Sequence, residues 1–361
     1  MADEQRPGRG YSRLKLLMLV NWREDGKWHL LHSLRQRVQD VAVQQPVLPK
    51  RTTFGKLIAL SCYLSEYYVP VTAVFKRKRF DVVISWQMRL GVCYGLLKRF
   101  FHAGKPPVHI IQDFHIDLTQ TRWLYRLQVC LLQLAIPGID YFFTTSAEEE
   151  IIYSRMFNIP LSRIRFLPLV ESPASFKEPV HPGADYIFAF GKSDRDFDTL
   201  IQAVTPLGIQ TYILSRGYCP QVSVPEHVHL IRDYVSNTEM CRWISFSRMV
   251  VLPLKDYRIS AGQISMLETM AMAKPLVVAE NMATREYAVH RQTAMFYPSG
   301  DIRNLKTQIL YLWEHPETAE EIGRQGRIST MTLNKRRMAI MGDVLTECAA
   351  LLPEYVDRTR V

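Results

Sequence analysis

Two segments in the second half of the chain carry residue types that suit a bound phosphate. In the first, Lys192 and Arg195 follow a short apolar run and Gly191. Two cations can neutralise a diphosphate, and a planar guanidinium can bind it through two hydrogen bonds. If the apolar run is a strand of an open α/β sheet, the loop lies at its carboxyl end, where such sheets bind ligands. Ordinary solvated loop charges are the alternative interpretation of both cations.

The second segment runs from Ser260 to Glu268. Ser260 and Gln263 have the spacing of a capping box, which predicts a helix with Ser260 as its N-cap. The N–H groups of Ala261, Gly262 and Gln263 would then point at one place and suit a phosphate, together with the helix dipole. The carboxylate of Glu268 would lean back toward that ligand and accept hydrogen bonds from ribose hydroxyls. The alternative is an ordinary capped helix with an exposed glutamate.

Apolar runs alternate with helical segments along the whole chain, which predicts parallel sheets with helices on both faces. The expected strands are 14–20, 80–85, 108–111, 141–144, 164–167, 186–190, 211–214, 228–231, 248–252 and 275–279, and the expected helices are 27–39, 88–101, 123–135, 196–205, 263–273 and 301–351. A proline-rich stretch at the midpoint predicts a linker. We therefore expect an α/β protein of two Rossmann-like, doubly wound domains facing each other across a cleft. The expected divisions are a first domain at 1–170, a linker at 171–185, a second domain at 186–340 and a helical tail at 341–361 that crosses back to the first domain.

Length and composition agree with two folded domains. At about 150 residues per domain, 361 residues predict two. A chain that is 47% hydrophobic and 22% charged is neither mainly disordered nor fibrous. We expect no transmembrane helix, because no apolar run approaches about 18 residues, and no signal peptide. The six cysteines form no CxxC pair, which predicts reduced, mostly buried thiols and a cytoplasmic protein.

The positive charge is concentrated in the first half of the chain. Residues 1–180 hold 25 Lys and Arg against 15 Asp and Glu, whereas residues 181–361 hold 20 of each. This asymmetry predicts an anionic partner for the first domain. Basic and aromatic residues mix at 98–102 and 123–134, which predicts peripheral docking on an anionic membrane at its inner face. The alternative is that 123–134 packs in the core. The basic run 76–79 lacks any accompanying nucleic-acid-binding motif, so we expect no nucleic acid partner.

Taken together, these segments resemble the retaining glycosyltransferases of the family-4 type (glycosyltransferase group 1), which have the GT-B fold. The resemblance is strongest over 186–300 and rests on Gly191-Lys192…Arg195, on Leu267-Glu268-Thr269-Met270-Ala271-Met272-Ala273-Lys274-Pro275 and on Glu286. It implies transfer of a hexose from a UDP- or GDP-linked nucleotide-sugar to a hydroxyl acceptor, with retention, in glycan, glycolipid or exopolysaccharide synthesis.

The resemblance also implies roles for individual residues. Lys192 and Arg195 would bind the donor diphosphate, and Glu268 the ribose. The backbone of Ala261–Gln263 would hold the phosphate and donor sugar. The acceptor would be a sugar or a lipid-linked molecule. The reaction would need no cofactor beyond the nucleotide-sugar, which is a co-substrate, and no metal, because the two overlapping Asp-x-Asp strings at 194–198 also suit the first turn of a helix.

Two positions depart from the pattern of that family. Ser260 occupies the place of a glutamate that touches the donor sugar, and Gln112 that of a histidine in the first domain. His115, three residues later, is the candidate that takes over from this histidine, with Asp113 beside it, although a lone histidine is more often structural. The departures keep a second function open, namely a nucleotide-sugar-binding or scaffold protein without full catalytic activity.

Overall fold

The computed structural model describes residues 10–22, 29–46, 55–101, 106–116, 123–170, 184–255, 257–258 and 260–352. The chain divides into two compact units. Unit one comprises Met1–Leu167 with Met338–Val361, and unit two comprises Pro168–Arg337. The final helix, Pro316–Ala350, contributes residues to both units. The predicted linker at 171–185 lies almost entirely outside the described residues.

The described part of unit one contains a parallel sheet with helices on both faces. Its strands are β1 (Lys15–Leu19), β2 (Asp40–Gln44), β3 (Val82–Gln87), β4 (Val108–Asp113), β5 (Tyr141–Thr144) and β6 (Ile164–Phe166), and its helices are α1 (His29–Arg35), α2 (Gly55–Lys76), α3 (Met88–Phe100), α4 (Trp123–Ala135) and α5 (Ala147–Phe157). The strand order is β2-β1-β3-β4-β5-β6. The direction of the order reverses between β1 and β3, which makes their carboxyl ends the expected place for a ligand.

Alternate side chains of the central strands leave this sheet on opposite faces, because the side-chain period of a strand is two. The core on one face joins Leu16, Met18, Ile84, Ile110 and Phe143 of the strands with Leu31, Leu34, Met341 and Leu345 of helices. The core on the other face joins Leu17, Val83, Ile111 and Phe142 with Val69, Tyr94, Leu132 and Phe157, which belong to α2, α3, α4 and α5. The near-continuous apolar runs predicted as strands are therefore buried on both sides.

Unit two has the same layered architecture. Its strands are β7 (Ala184–Phe190), β8 (Gln210–Leu214), β9 (Val228–Ile231), β10 (Ser247–Leu252), β11 (Leu276–Glu280) and β12 (Met295–Pro298), and its helices are α6 (Phe197–Val204), α7 (Asn237–Phe246), α8 (Gln263–Ala271), α9 (Thr284–Tyr287), α10 (Ile302–Glu314) and α11 (Pro316–Ala350). The parallel strands follow the order β12-β11-β10-β7-β8-β9, which reverses between β7 and β10. This is the strand order of a dinucleotide-binding Rossmann domain.

The ten predicted strands are all present, with their ends displaced by no more than about two residues. The sequence did not indicate β2 or β12, because both are edge strands of only five and four residues, too short to show a clear strand pattern. The helix expected at 27–39 is shorter, His29–Arg35. The expectation of mostly buried cysteines is wrong: of the five that the structure describes, Cys348 is buried, Cys130 and Cys219 are exposed, and Cys93 and Cys241 lie between.

A buried histidine makes the stability of unit one depend on pH. His109 on β4 is fully buried, with Nε2 2.9 Å from the Ser85 hydroxyl. Burial, followed by the charge of Lys98, lowers the pKa of His109 well below 6.5. Below about pH 6.5 the unfolded chain therefore takes up a proton that the folded chain resists. The stability present above that pH is lost as the pH falls toward the folded-state pKa.

We expect the free energy of unfolding to decline below about pH 6.5, with His109 contributing at most about 1.4 kcal/mol per pH unit. Urea unfolding between pH 7.5 and 5 measures this slope. His109→Gln should flatten it, whereas His229→Gln, which changes a histidine of the edge strand β9, should leave it unchanged. An equal slope in wild type and His109→Gln would contradict the assignment.

Candidate functional site

The loops that follow β7 and β10 form one structure at the carboxyl edge of the sheet in unit two. The amide of Asp196 donates to the carbonyl of Pro253 at 3.0 Å, and the amide of Lys255 donates to the carbonyl of Asp194 at 3.2 Å. Because the strand order reverses between β7 and β10, these loops flank the position where open α/β sheets bind ligands. Both segments singled out in the sequence thus lie at this edge.

Arg195 does not project from its loop as expected. Its guanidinium folds back and donates from Nε to the carbonyl of Phe190 at 3.0 Å and from Nη2 to the hydroxyl of Ser265 at 3.0 Å. Nη1 donates to the carbonyl of Ser193 at 2.7 Å. Burial lowers the pKa of Arg195 to about 10, although the charges of Asp194 and Glu268 oppose the shift, so the group remains a cation at neutral pH. The arginine joins the β7 loop to the first turn of α8.

Gly191 makes room for this guanidinium. Its φ is +125°, a conformation open to glycine, and a β-carbon at this position would lie 2.5 Å from Nε of Arg195. Both the backbone conformation and the nearby guanidinium therefore favour glycine over any other residue at position 191. Lys192, the next residue, is exposed on the same loop.

Helix α8 begins differently from the prediction. Its N-cap is Gly262, with φ +89°, and no side chain caps it, so the expected capping by Ser260 is wrong. The hydroxyl of Ser260 instead accepts a hydrogen bond from the side-chain amide of Gln263 at 2.6 Å. Gly262 takes the N-cap because its left-handed conformation and the close side chain of Leu254 both suit glycine. The first-turn amides, starting at Gln263, point out of the helix terminus at the edge of the sheet.

The loop before α8 is held by residues from two further strands. Asn281, which follows β11, is buried and donates from its side chain to the carbonyl of Ala261 at 3.0 Å. Ser299, which follows β12, donates from its hydroxyl to the carbonyl of Lys255 at 2.9 Å. These contacts fix the backbone at Lys255 and at Ala261, and the second of them lies directly before the N-terminus of α8.

Glu268 lies one turn beyond Ser265 on α8 and is partly exposed. Its charge raises the pKa of Arg195 against the effect of burial, which places the carboxylate in the electrostatic field of that guanidinium. A cation, a helix N-terminus and a carboxylate are thus brought together, as the sequence suggested. This combination can hold an anionic group next to hydroxyl groups.

The Asp-x-Asp strings have hydrogen-bond partners within the protein. Asp196 is the N-cap of α6 and accepts from the amide and the hydroxyl of Thr199. Asp198 accepts from the hydroxyl of Tyr218 at 2.7 Å and from the amide of Gln221 at 2.9 Å. Both carboxylates are therefore used to fix α6 and the loop after β8.

The candidates in unit one also lie at the carboxyl edge of a sheet. Asp113 ends β4, and burial raises its pKa. Nδ1 of His115 lies 2.8 Å from the carboxylate of Glu149, which is buried on α5. Gln112 is buried too, and the described residues offer its side-chain oxygen no hydrogen-bond partner. The structure therefore brings Asp113 and His115 together and adds Glu149 to them.

Several residues of these two edges escaped the sequence analysis. In unit two they are Ser265, Asn281 and Ser299. In unit one, besides Glu149, they are Trp86 and Gln87, which end β3 and lie beside Asn21 and Trp22 just after β1. The Gln87 amide donates to Asn21 at 2.6 Å, and the rings of the two tryptophans meet edge to face at 5.7 Å. For Asn281, Ser299, Trp86 and Gln87, the position at or directly after the carboxyl end of a strand is the signal that could have found them.

Comparison with known proteins gives a family match within unit two. Residues 190–315 match the family described as "Glycosyl transferases group 1". The D-rhamnosyltransferase WbpZ of Pseudomonas aeruginosa is 30% identical over 130 residues, which are 36% of this chain and 32% of the relative. The match thus spans about a third of the length of this curated relative.

Solved structures share the architecture over nearly the whole chain. A sucrose-phosphate synthase from Thermosynechococcus elongatus has a TM-score of 0.69 at 13% identity and covers 94% of this chain and 100% of its own. HepE of Anabaena in complex with UDP-glucose has a TM-score of 0.65 at 11% identity and covers 92% and 100%. The predicted fold class, two Rossmann-like domains of the GT-B type, is confirmed.

Proposed function

We propose that this protein transfers a sugar from a nucleotide-sugar to a hydroxyl acceptor. The observation that carries the proposal is the convergence of Arg195, the N-terminus of α8 and Glu268 at the switch point of unit two. The group 1 match covers the same residues, and the relative named above is by its name a rhamnosyltransferase. Both support a transferase of the hexosyl type.

The proposed chemistry is electrostatic. As the bond between the anomeric carbon and the diphosphate breaks, negative charge builds up on the departing phosphate oxygens. Arg195, Lys192 and the α8 amides would stabilise that charge, and fixed dipoles and cations are effective because they need not reorganise. Glu268 would bind the ribose and so place the diphosphate between the two loops.

The donor is proposed to be UDP- or GDP-linked, and structural relatives whose names include bound UDP or UDP-glucose support a uridine nucleotide. Retention of the anomeric configuration rests on the resemblance to family-4 enzymes. The acceptor, a sugar or lipid-linked sugar in glycan or polysaccharide synthesis, would bind at the carboxyl edge of unit one, where Trp22 and Trp86 offer aromatic surface for a sugar ring.

A panel of UDP- and GDP-sugars tests the function. At equal ligand concentration the true donor should raise the melting temperature most, because a ligand that binds the folded state stabilises it by RT ln(1 + [L]/Kd). Released nucleoside diphosphate should then appear only when donor and acceptor are both present, and proton NMR of the product gives the anomeric configuration. Binding without turnover on any acceptor would favour the second candidate, a nucleotide-sugar-binding protein, which the replacements at Ser260 and Gln112 keep open.

We expect turnover to survive EDTA. Asp196 and Asp198 are engaged in fixing α6, and the proposed diphosphate site already has cationic partners. The rate measured after dialysis against EDTA should equal the rate with added Mg²⁺ or Mn²⁺. Loss of activity that returns with either metal would overturn the proposal of a metal-independent reaction.

Unit one also presents an apolar face that suits a membrane. On α4, Trp123 is 72% exposed, Leu127 50% and Leu134 48%, and Leu131 is exposed as well. The four residues are spaced three or four apart, so they lie on one face of the helix. Phe100 and Phe101, at the end of α3, are exposed as well. Arg99 donates to the carbonyl of Leu134 at 2.6 Å, which joins the two helix ends.

The charges on the surface of unit one are partly as predicted. Arg126 is exposed on α4, Lys76 is exposed at the end of α2, and Lys78 and Arg79 are exposed just beyond it. Lys98 does not face solvent, because its side chain is 9% exposed and pairs with Asp140. His102 lies outside the described residues. Among the described residues, no helix is long and apolar enough to cross a membrane. We propose peripheral attachment to anionic lipid at the inner face of the membrane of a cytoplasmic protein.

Co-sedimentation with vesicles at low salt measures this attachment. Phosphatidylglycerol-containing vesicles should recover more protein than neutral ones, since each cation near anionic lipid contributes about 1 kcal/mol. Trp123→Ser with Leu127→Ser should abolish the excess, whereas Ile328→Ser, which alters an exposed apolar residue of α11, should not. Equal recovery on both vesicle types would refute membrane docking and favour a soluble acceptor.

A further inference from the structure

Glu149 is the most heavily engaged carboxylate among the described residues of unit one. It is 1% exposed, and four donor groups lie within hydrogen-bond distance of its two oxygens. Its Oε2 accepts from the amide of Thr145 at 3.2 Å and from the hydroxyl of the same residue at 3.0 Å. Its Oε1 meets the hydroxyl of Tyr153 at 3.0 Å and Nδ1 of His115 at 2.8 Å. A buried carboxylate with this many donors is held in one orientation.

Helix capping explains only part of this arrangement. Ser146 is the N-cap of α5 and accepts from the amide of Glu148, and the pattern Ser-x-x-Glu would direct Glu149 back to the amide of Ser146. Glu149 instead contacts Thr145 and reaches across to the loop after β4. There the Tyr153 hydroxyl accepts from the amide of Ile116 at 3.1 Å, which ties the residue after His115 to the same cluster.

The contact determines which nitrogen of His115 carries the proton. An ionised carboxylate only accepts hydrogen bonds, so Nδ1 of the neutral imidazole must be the donor and Nε2 the acceptor. His115 is 36% exposed at its side chain, while Glu149 lies behind it in the interior. We propose that Glu149 is a positioning residue, which holds His115 so that Nε2 accepts a hydrogen bond from the acceptor hydroxyl of the transfer reaction. The inference rests on the proposed function, because it names the acceptor as the ligand.

The charges around His115 give the proposal a pH dependence. The described groups that face it are Asp113 from β4 and Glu149 and Tyr153 from α5. A negative charge beside an imidazole favours the protonated form, and a protonated imidazole cannot accept a hydrogen bond from the acceptor hydroxyl. Glu149→Gln removes one negative charge, while its amide oxygen can still accept from Nδ1. The acid limb of kcat/KM for the acceptor should therefore move down by about one pH unit.

Three measurements test the assignment on the full chain. Imidazole ¹⁵N NMR of wild type should show the proton of neutral His115 on Nδ1, and its titration should shift to lower pH in Glu149→Gln. Kinetics should show that His115→Ala raises KM for the acceptor about 10-fold with little change in KM for the donor. His115→Gln, which has an amide near the position of Nε2, should recover part of the loss and lose the acid limb.

Glu150→Gln is the matched control. Glu150 is the next residue on α5 and accepts from the amide of Phe166 at 2.9 Å, so its replacement removes the same charge without touching His115. It should leave the titration of His115 and the acid limb in place. A merely structural role of Glu149 would lower the melting temperature of Glu149→Gln and leave KM for the acceptor and the acid limb of kcat/KM unchanged, although the titration of His115 would still shift with the lost charge.

Different outcomes refute the roles of Glu149 and His115 and the proposed transfer function. Proton on Nε2, or an unshifted titration in Glu149→Gln, overturns the role of Glu149 even if the enzyme is active. Unchanged acceptor KM in an active His115→Ala overturns the role of His115. If no donor and acceptor pair gives turnover, the proposed function fails, and with it the acceptor as ligand, whereas the NMR result still decides the tautomer.

Discussion

Replacing Arg195 by alanine is expected to weaken the binding of nucleoside diphosphate about 10- to 150-fold. A hydrogen bond to a charged group contributes about 1.5–3 kcal/mol, and 1.4 kcal/mol corresponds to a factor of ten. The substitution also removes the bonds to the carbonyl of Phe190 and the hydroxyl of Ser265, which hold the β7 loop against α8. Isothermal titration with UDP and GDP measures the loss. Lys192→Ala should lower the affinity as well, through its charge alone.

Gly191→Ala separates the position of the guanidinium from its charge. The added β-carbon would lie 2.5 Å from Nε of Arg195, so the side chain must move although the charge remains. We expect a loss of diphosphate affinity approaching that of Arg195→Ala. Arg303→Ala removes the same charge from the exposed face of α10 and should change nothing. Wild-type affinity in both Gly191→Ala and Arg195→Ala would show that this loop is not the phosphate site.

The sequence predicts elements that depend on local pattern. The run before Gly191 is a strand, and α6 begins after Asp196, because buried parallel strands are continuously apolar and an aspartate caps the next helix. Local pattern is not sufficient at Ser260. The spacing of Ser260 and Gln263 predicts a capping box, but Gly262 adopts a left-handed conformation and is the N-cap of α8.

Contacts between distant segments could not be predicted from one sequence. Arg195 folds back because its loop offers backbone carbonyls and because Ser265, 70 residues later, presents a hydroxyl. Glu149 meets His115 across 34 residues, since α5 packs beside the end of β4. The residue types show which side chains can take part in chemistry, whereas the strand order determines which of those side chains lie close together. That order was not predicted for either unit.

Replacing Glu268 by alanine should weaken nucleoside diphosphate binding by about 10-fold or more and leave pyrophosphate binding unchanged or stronger. The carboxylate is proposed to accept hydrogen bonds from the ribose, so a ligand with a ribose loses them. Pyrophosphate has no ribose, and the negative charge of the Glu268 carboxylate repels it. Removing the carboxylate therefore reduces the repulsion. Arg195 stays protonated in the variant, because its pKa is about 10 while the charge of Glu268 supports it only as a secondary effect. Donor KM should rise in parallel with the dissociation constant.

Ligands that lack single ribose hydroxyls show whether Glu268 touches the ribose directly. Wild type should bind 2′-deoxy or 3′-deoxy nucleoside diphosphate more weakly than the ribonucleotide. Glu268→Ala should bind the deoxy and ribo forms equally, because the hydrogen bond between the carboxylate and the ribose hydroxyl is already lost when either partner is removed. Glu226→Ala, an exposed glutamate before β9, removes the same charge from unit two and should keep the discrimination. If Glu268→Ala binds UDP, GDP and their deoxy forms as wild type does, the carboxylate has another role, and the nucleoside must be recognised elsewhere on the edge of unit two.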